Sequence, residues 1–164
     1  MVRIAVVSDS HGKFRNLGQA RTGLGGRLDW LLHAGDHITD AARIGVNLGV
    51  DPSRVRAVAG NCDYPATKPE ELLVEIDGVK LYMVHGHNHG VKGNLQRLHY
   101  RAQEVGARVV IFGHSHVPTL ADIGGVMLFN PGSLSEPRRP GDPPSCGLLE
   151  IENGIVSARH IFFP

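Results

Sequence analysis

The stretch RVVIFGHSHVP (residues 108–118) carries an apolar run into a glycine and then sets two histidines either side of one serine. Near-continuous Val, Ile and Phe suit a strand buried on both faces. In extended chain, side chains at i and i+2 point the same way. The spacing therefore predicts His114 and His116 on one face, with Ser115 on the other. Neutral imidazole is the commonest metal ligand among side chains. Two of them at a strand end read either as a pair of ligands or as a polar loop end in water, and the rest of the chain has to decide.

Five more apolar runs repeat the pattern: RIAVVS (3–8), DWLLHA (29–34), VRAVAG (55–60), VKLYMVHG (79–86) and GVMLFN (125–130). Helices are expected between them at about 13–25, 39–48 and 92–105. In the third, Leu95, Leu98, Ala102 and Val105 recur at helical spacing, and Gly106 stands where a C-terminal cap belongs. Residues 117–162 read as strand-rich, with IENG a turn before IVSARHIF. Strands alternating with helices and then following one another indicate an α/β domain with partly parallel, partly antiparallel sheets. No repeat or linker divides the chain, so residues 1–164 read as one domain. SEPRRPGDPPS (135–145) reads as a surface loop.

Each run ends on chemistry. The first leads to Asp9-Ser10-His11, the second to Gly35-Asp36, the third to Gly60-Asn61-Cys62-Asp63, the fourth to His85-Gly86-His87 and the fifth to His114-Ser115-His116. In an open α/β sheet the carboxyl ends of parallel strands gather along one edge, where ligands bind. Asp9, His11, Asp36, Asn61, His85, His114 and His116 then converge: two carboxylates, one amide oxygen and four imidazoles. That is too many for one ion with open positions and suits two with a shared carboxylate. Two ions about 3.5–4 Å apart clamp the attacking and leaving oxygens of an in-line displacement. Taken singly, Asp and Asn at strand ends are often only turn formers.

The motifs VVSDSHG (6–12), LLHAGD (31–36), GNCD (60–63), HGHNHGV (85–91), FGHSHVP (112–118) and NPGSLSEPR (130–138), in this order, resemble the calcineurin-like metallophosphoesterases. More narrowly they resemble the small bacterial and archaeal YfcE-type phosphodiesterases. The resemblance spans nearly the whole chain. It implies a four-layer αββα sandwich of two mixed sheets. It also implies a dimetal centre with Asp9, His11 and His116 on one cation, Asn61, His85 and His114 on the other, and Asp36 bridging. The implied reaction is hydrolysis of a phosphodiester by a metal-bridging hydroxide. Mn²⁺ is the cation expected first, with Fe, Ni²⁺ or Zn²⁺ also suited to mixed N/O ligands.

Many relatives carry histidine after the Gly-Asn pair, able to protonate the leaving group; this chain has Cys62. A thiol is an indifferent acid, and Cys62 reads rather as a small buried hydrophobe. His87 becomes the candidate for contacting phosphate or passing a proton. Asp63 is a candidate for orienting a ligand, and Arg138 and Arg139 for meeting a phosphate, although a solvated basic loop accounts for the two arginines as well. His33 reads as a structural hydrogen-bonding residue, His37 and His89 as cleft-mouth or solvent residues, and His99 and His160 as structural or surface ones.

The net charge of +1 gives no broad surface for nucleic acid. Two cysteines form no disulfide framework, which fits the reducing cytoplasm. No segment approaches the roughly 20 apolar residues that span a bilayer. The expected partner is a small phosphate ester, and a homo-oligomer is compatible with the sequence. A phosphomonoesterase on the same site and a non-catalytic scaffold of the retromer-subunit type are the alternatives.

Overall fold

The computed structural model describes residues 1–64 and 69–163. Three parallel strands, β1 (Val2–Val7), β2 (Trp30–His33) and β3 (Val55–Ala57), lie side by side. A second group holds β4 (Glu71–Ile76), β5 (Val79–Val84), β6 (Val109–Ile111), β7 (Thr119–Ile123) and β8 (Val126–Asn130). Then β9 (Ser145–Glu152) pairs antiparallel with β1, and β10 (Ile155–Phe162) pairs antiparallel with β9. The strand orders are β10-β9-β1-β2-β3 and β4-β5-β6-β8-β7, two mixed five-stranded sheets. Helices α1 (Leu17–Leu24) and α2 (Asp40–Leu48) pack on the first sheet, and α3 (Gln96–Val105) on the second.

The four layers follow from the alternation of side chains along each strand. On β1, Ala5 and Val7 face Leu17, Leu24 and Ile44 of the helices. Ile4 and Val6 face the other way, into a core with Leu81, Met83 and Val109 of the second sheet. On the far side, Tyr82, Val84 and Val110 meet Leu98 and Ala102 of α3. Strands apolar on both faces are needed because each sheet is covered on both sides. Fully burying one such side chain contributes about 1.5–3 kcal/mol.

The expected fold holds, with local differences. The run drawn through Gly60 leaves the ladder after Ala57, as Val58 and Ala59 turn their N–H groups to His33 and Pro69. Lys13 and Phe14 lie outside regular structure and a turn at Arg15 and Asn16 precedes α1, and α3 starts at Gln96, although Gly106 caps it in the left-handed conformation. Strand β4 is absent from the sequence reading: ELLVEI sits on a sheet edge and alternates exposed with half-buried residues, a weaker signal than a continuous apolar run. Among the described residues, no helix is long and apolar enough to cross a membrane.

Candidate metal centre

The carboxyl ends of β1, β2, β3, β5 and β6 meet along one rim, where the sheets touch. Gly113 packs so closely on Ser8 and Asp9 that an added Cβ would lie 2.0 Å from Ser8 Oγ. Gly60 has the same role beneath Asp36, whose Oδ1 lies 2.2 Å from the position its Cβ would take.

Asp9, His11, Asp36, His114 and His116 all have left-handed backbones, with φ between 47° and 65°. This conformation costs a non-glycine residue on the order of 1 kcal/mol and must be held from outside. Ser133 Oγ donates to the Asp9 carbonyl at 2.8 Å and Ser135 Oγ to the Ser10 carbonyl at 2.8 Å. Asp40 Oδ2 accepts from Ser10 Oγ at 2.7 Å and from Gly12 N–H at 2.9 Å.

The left-handed turns also correct the reading of the Gly-His-Ser-His stretch. His114 and His116 do not lie in extended chain and do not share a face. His114 packs 5.2 Å from the His85 ring, whereas His116 packs 5.3 Å from the ring of His11.

Asp9, His11, Asp36 and His116 each place one ligand atom within 4.8 Å of the others. His116 Nε2 is 3.1 Å from Asp9 Oδ1, and His11 Nε2 is 3.9 Å from Asp36 Oδ2. His85, fully buried, directs Nε2 to within 3.4 Å of Asp36 Oδ2 and 3.8 Å of Asp9 Oδ1. Two imidazole tautomers follow from their other partners. His85 Nδ1 donates to the Ala34 carbonyl at 2.7 Å, and His116 Nδ1 to the Glu136 carbonyl at 2.5 Å. In the neutral rings, both Nε2 lone pairs face carboxylate oxygens, an acceptor against an acceptor. Among the described residues, Asp9 Oδ1, His11 Nε2 and His85 Nε2 are buried with no hydrogen-bond partner. Such groups are costly unless a proton or a cation lies between them, so the donor set fits divalent cations.

The same crowding shifts proton affinities. Burial resists charge on His85, but the Asp36 contact and the Asp9 charge outweigh it and raise its pKa. The Asp9 contact raises that of His116. Burial, the neighbouring His85 and Lys92 lower His114 to about 4. For Asp36, burial is outweighed by His85 and by the Cys62 N–H, and the carboxyl lies below its ordinary range.

The remaining candidates are more peripheral. Asn61 is exposed, with its amide nitrogen 3.5 Å from Cys62 Sγ. Cys62 is also exposed, not the buried hydrophobe expected, because the chain turns out of the sheet after β3. Partial desolvation, Asp36 and other nearby carboxylates push its thiol up to about 11. Among the described residues Asp63 bonds to no imidazole nitrogen; it accepts from Ile38 N–H at 2.9 Å and Gly60 N–H at 2.8 Å, joining the two loops that carry Asp36 and Asn61. His87 lies 5.6 Å from the His85 ring, beside a cleft of about 190 Å³ that Glu70 and His89 also line. Arg138 and Arg139 are exposed. A larger apolar groove of about 570 Å³ along α2, β3 and β4 contains none of the candidate ligands.

Sequence reasoning missed the supports: Ser10, Asp40, Ser133, Ser135 and Glu136. Asp40 had a signal, four residues after Asp36 in GDHITD. Glu136 lay in what read as a surface loop; Ser135 and Ser145 at its ends are buried, and only its middle is exposed.

A sequence model of the calcineurin-like phosphoesterase superfamily domain matches residues 2–154. The probable metallophosphoesterase YsnB of Bacillus subtilis is 33% identical over 158 residues, covering 96% of this chain and 89% of YsnB. The phosphodiesterase YfcE of Escherichia coli is 30% identical, covering 96% and 91%. A crystal structure of a predicted phosphoesterase from Streptococcus pneumoniae superimposes with a TM-score of 0.76 at 30% identity, covering 98% of this chain and 89% of that one. Zinc-complexed Vps29 of Entamoeba histolytica shares the fold, with a TM-score of 0.77 at 23% identity over 99% of this chain and all of the other. The match across nearly the whole chain places this protein in the calcineurin-like phosphoesterase superfamily, among the metallophosphoesterases.

Proposed function

We propose that this chain is a two-metal phosphodiesterase of the cytoplasm, acting on small phosphate esters as a single domain spanning residues 1–164. Asp9, His11 and His116 would hold one divalent cation and Asn61, His85 and His114 the other, with Asp36 serving both. The observation that carries this reading is the pair of imidazoles, His85 and His116, whose Nδ1 hydrogens are committed to backbone carbonyls while Nε2 faces a carboxylate. Backbone acceptors of this kind orient metal-ligating histidines. Mn²⁺ is the first candidate cation, and Fe, Ni²⁺ and Zn²⁺ suit the same donors.

Two such cations, when bound, supply Lewis acidity that neutralises phosphoryl charge and lowers the pKa of a water towards neutrality. The residues of this chain do the rest. Asp36 and Asp9 supply the negative charge that fixes the cations, and the Ala34 and Glu136 carbonyls hold the imidazoles in register. His87, at the cleft beside His85, contacts the phosphate or passes a proton to the leaving oxygen. Cys62 takes no part in proton transfer.

The likeness to the phosphodiesterase YfcE favours diesters over monoesters. A scaffold role is disfavoured because all seven candidate ligand positions carry competent side chains. The test is turnover of an aryl phosphodiester and an aryl phosphomonoester by purified protein with added Mn²⁺. Faster diester hydrolysis is expected; preference for the monoester would replace the substrate class, and no turnover of either would favour the scaffold.

A further inference from the structure

Asn130 ends β8 and is fully buried, and its side chain reaches the turn that carries His114 and His116. Its Nδ2 donates one hydrogen to the Gly113 carbonyl at 2.9 Å and the other to Ser115 Oγ at 3.0 Å. Its Oδ1 accepts from Gly132 N–H at 2.9 Å. A carbonyl only accepts and a backbone N–H only donates, so this network admits one orientation of the amide.

These bonds bracket both histidines. The Gly113 carbonyl belongs to the peptide before His114, and it also accepts from Ser115 N–H at 2.7 Å. Ser115 stands between the two, and its Oγ accepts from Val117 N–H, just past His116, at 3.2 Å. The backbones of His114 and His116 are left-handed, with φ of 65° and 58°, a conformation that persists only when its surroundings hold it. Other contacts reach one histidine each: His114 N–H donates to Asp9 Oδ2 at 3.2 Å, and His116 Nδ1 to the Glu136 carbonyl. Asn130 acts on the segment the two share. Its own backbone is fixed from the other sheet, because its carbonyl accepts from His160 Nε2 of β10 at 2.8 Å, and the His160 ring stacks on Phe129 at 4.8 Å.

We propose that Asn130 is a positioning residue for both cation sites: its amide sets the Gly-His-Ser-His turn, directing His114 to one cation and His116 to the other. The proposal rests on the dimetal reading above. Loss of a ligand that belongs to one site weakens chiefly that site. Loss of the Asn130 amide weakens both together, although it ligates neither cation. A purely structural role would lower stability and leave the cation affinities of the folded chain unchanged.

Calorimetric titration of metal-free protein with Mn²⁺ tests this for wild type, Asn130→Asp, Ser115→Ala and Ile151→Ala, each first shown to be folded by thermal melting. Asn130→Asp keeps the size of the side chain but replaces both donors with a carboxylate oxygen. Its added negative charge would by itself favour cations, so a loss reports the missing donors. It is expected to weaken both binding events at least tenfold. Ser115→Ala removes one of the two bonds and should weaken both events at least threefold. Ile151→Ala is the control: it opens a cavity in the core between the sheets, opposite Val2 at the end of β1 away from the rim. It should melt lower and bind both ions within twofold of wild type. Asn130→Asp that binds both ions within twofold of wild type, or loses only one event, overturns the proposal, as does an equal loss in Ile151→Ala. Should Asn130→Asp not fold, Ser115→Ala carries the test, and unchanged affinity at both events overturns it. A wild-type chain that binds no Mn²⁺ overturns the dimetal reading and this proposal together, whereas two tight sites untouched by Asn130→Asp overturn only this one.

Discussion

His85 donates its Nδ1 hydrogen to the carbonyl of Ala34, 2.7 Å away, across the boundary between the two sheets. His85 follows β5 of the second sheet, and Ala34 follows β2 of the first. This one bond sets the imidazole tautomer, fixes the spacing of the sheets at the rim and turns Nε2 towards Asp36. Folding and cation binding therefore share the same contacts.

Gly60→Ala should damage both. The new methyl would lie 2.2 Å from Asp36 Oδ1 and 2.6 Å from Asp36 N. Neither group can withdraw without moving the Asp36 carboxylate and its loop, so a loss of about 1–3 kcal/mol is expected. Gly18→Ala is the contrast: it lies in α1 with nothing within 4 Å of the added carbon. It should stabilise by up to about 1 kcal/mol. Denaturant midpoints measured on the metal-free proteins check both signs.

Acid should weaken the fold through His33. Gly35 N–H donates to its Nδ1 at 3.2 Å, so the proton sits on Nε2, which donates to Ser10 Oγ at 3.1 Å; Ser10 in turn donates to Asp40. A second proton has no place in this chain. Burial lowers the pKa from 6.5 to about 4, against the opposing pull of Asp9 and Asp40. Below 6.5 the unfolded chain binds a proton that the folded chain refuses. Stability from this group is complete above pH 6.5 and is lost as pH falls towards 4, by roughly 3 kcal/mol. His33→Asn, which keeps an acceptor for Gly35, should flatten the slope between pH 6.5 and 4 in urea titrations of metal-free protein. Parallel slopes for the two proteins would count against the assignment.

The leaving group should matter to the rate. The Cys62 thiol, near 11, is too weak an acid to help an alkoxide depart. Aryl diesters should be hydrolysed at least tenfold faster than alkyl diesters, and Cys62→Ser should change either rate less than threefold. A large Cys62→Ser effect would restore an acid at that position, whereas equal aryl and alkyl rates with Cys62→Ser unchanged would assign proton transfer to His87 and contradict an unassisted departure.

The sequence carried the fold because the strands are apolar on both faces: Ile4 and Val6 serve one core and Ala5 and Val7 another, so β1 reads as a continuous run. Strand β4 escaped notice because an edge strand needs only one buried face. The candidate site was readable for a different reason, since each ligand type follows directly on a strand. Its finer geometry was not. The expectation that His114 and His116 share a face assumed extended chain, and both backbones are left-handed. Whether a buried polar side chain holds such a turn depends on partners more than 100 residues away, as with Ser133 and Asp9, 124 apart. Local spacing contains no trace of them.

The central claim is that Asp36 is shared by two cations, and counting bound Mn²⁺ per chain tests it most directly. Elemental analysis after equilibrium dialysis should give two ions for the wild-type chain, two for Arg138→Ala, and a marked loss of both for Asp36→Ala. A single ion in the wild-type chain, or an Asp36→Ala variant that keeps either site at full affinity, would contradict the shared carboxylate.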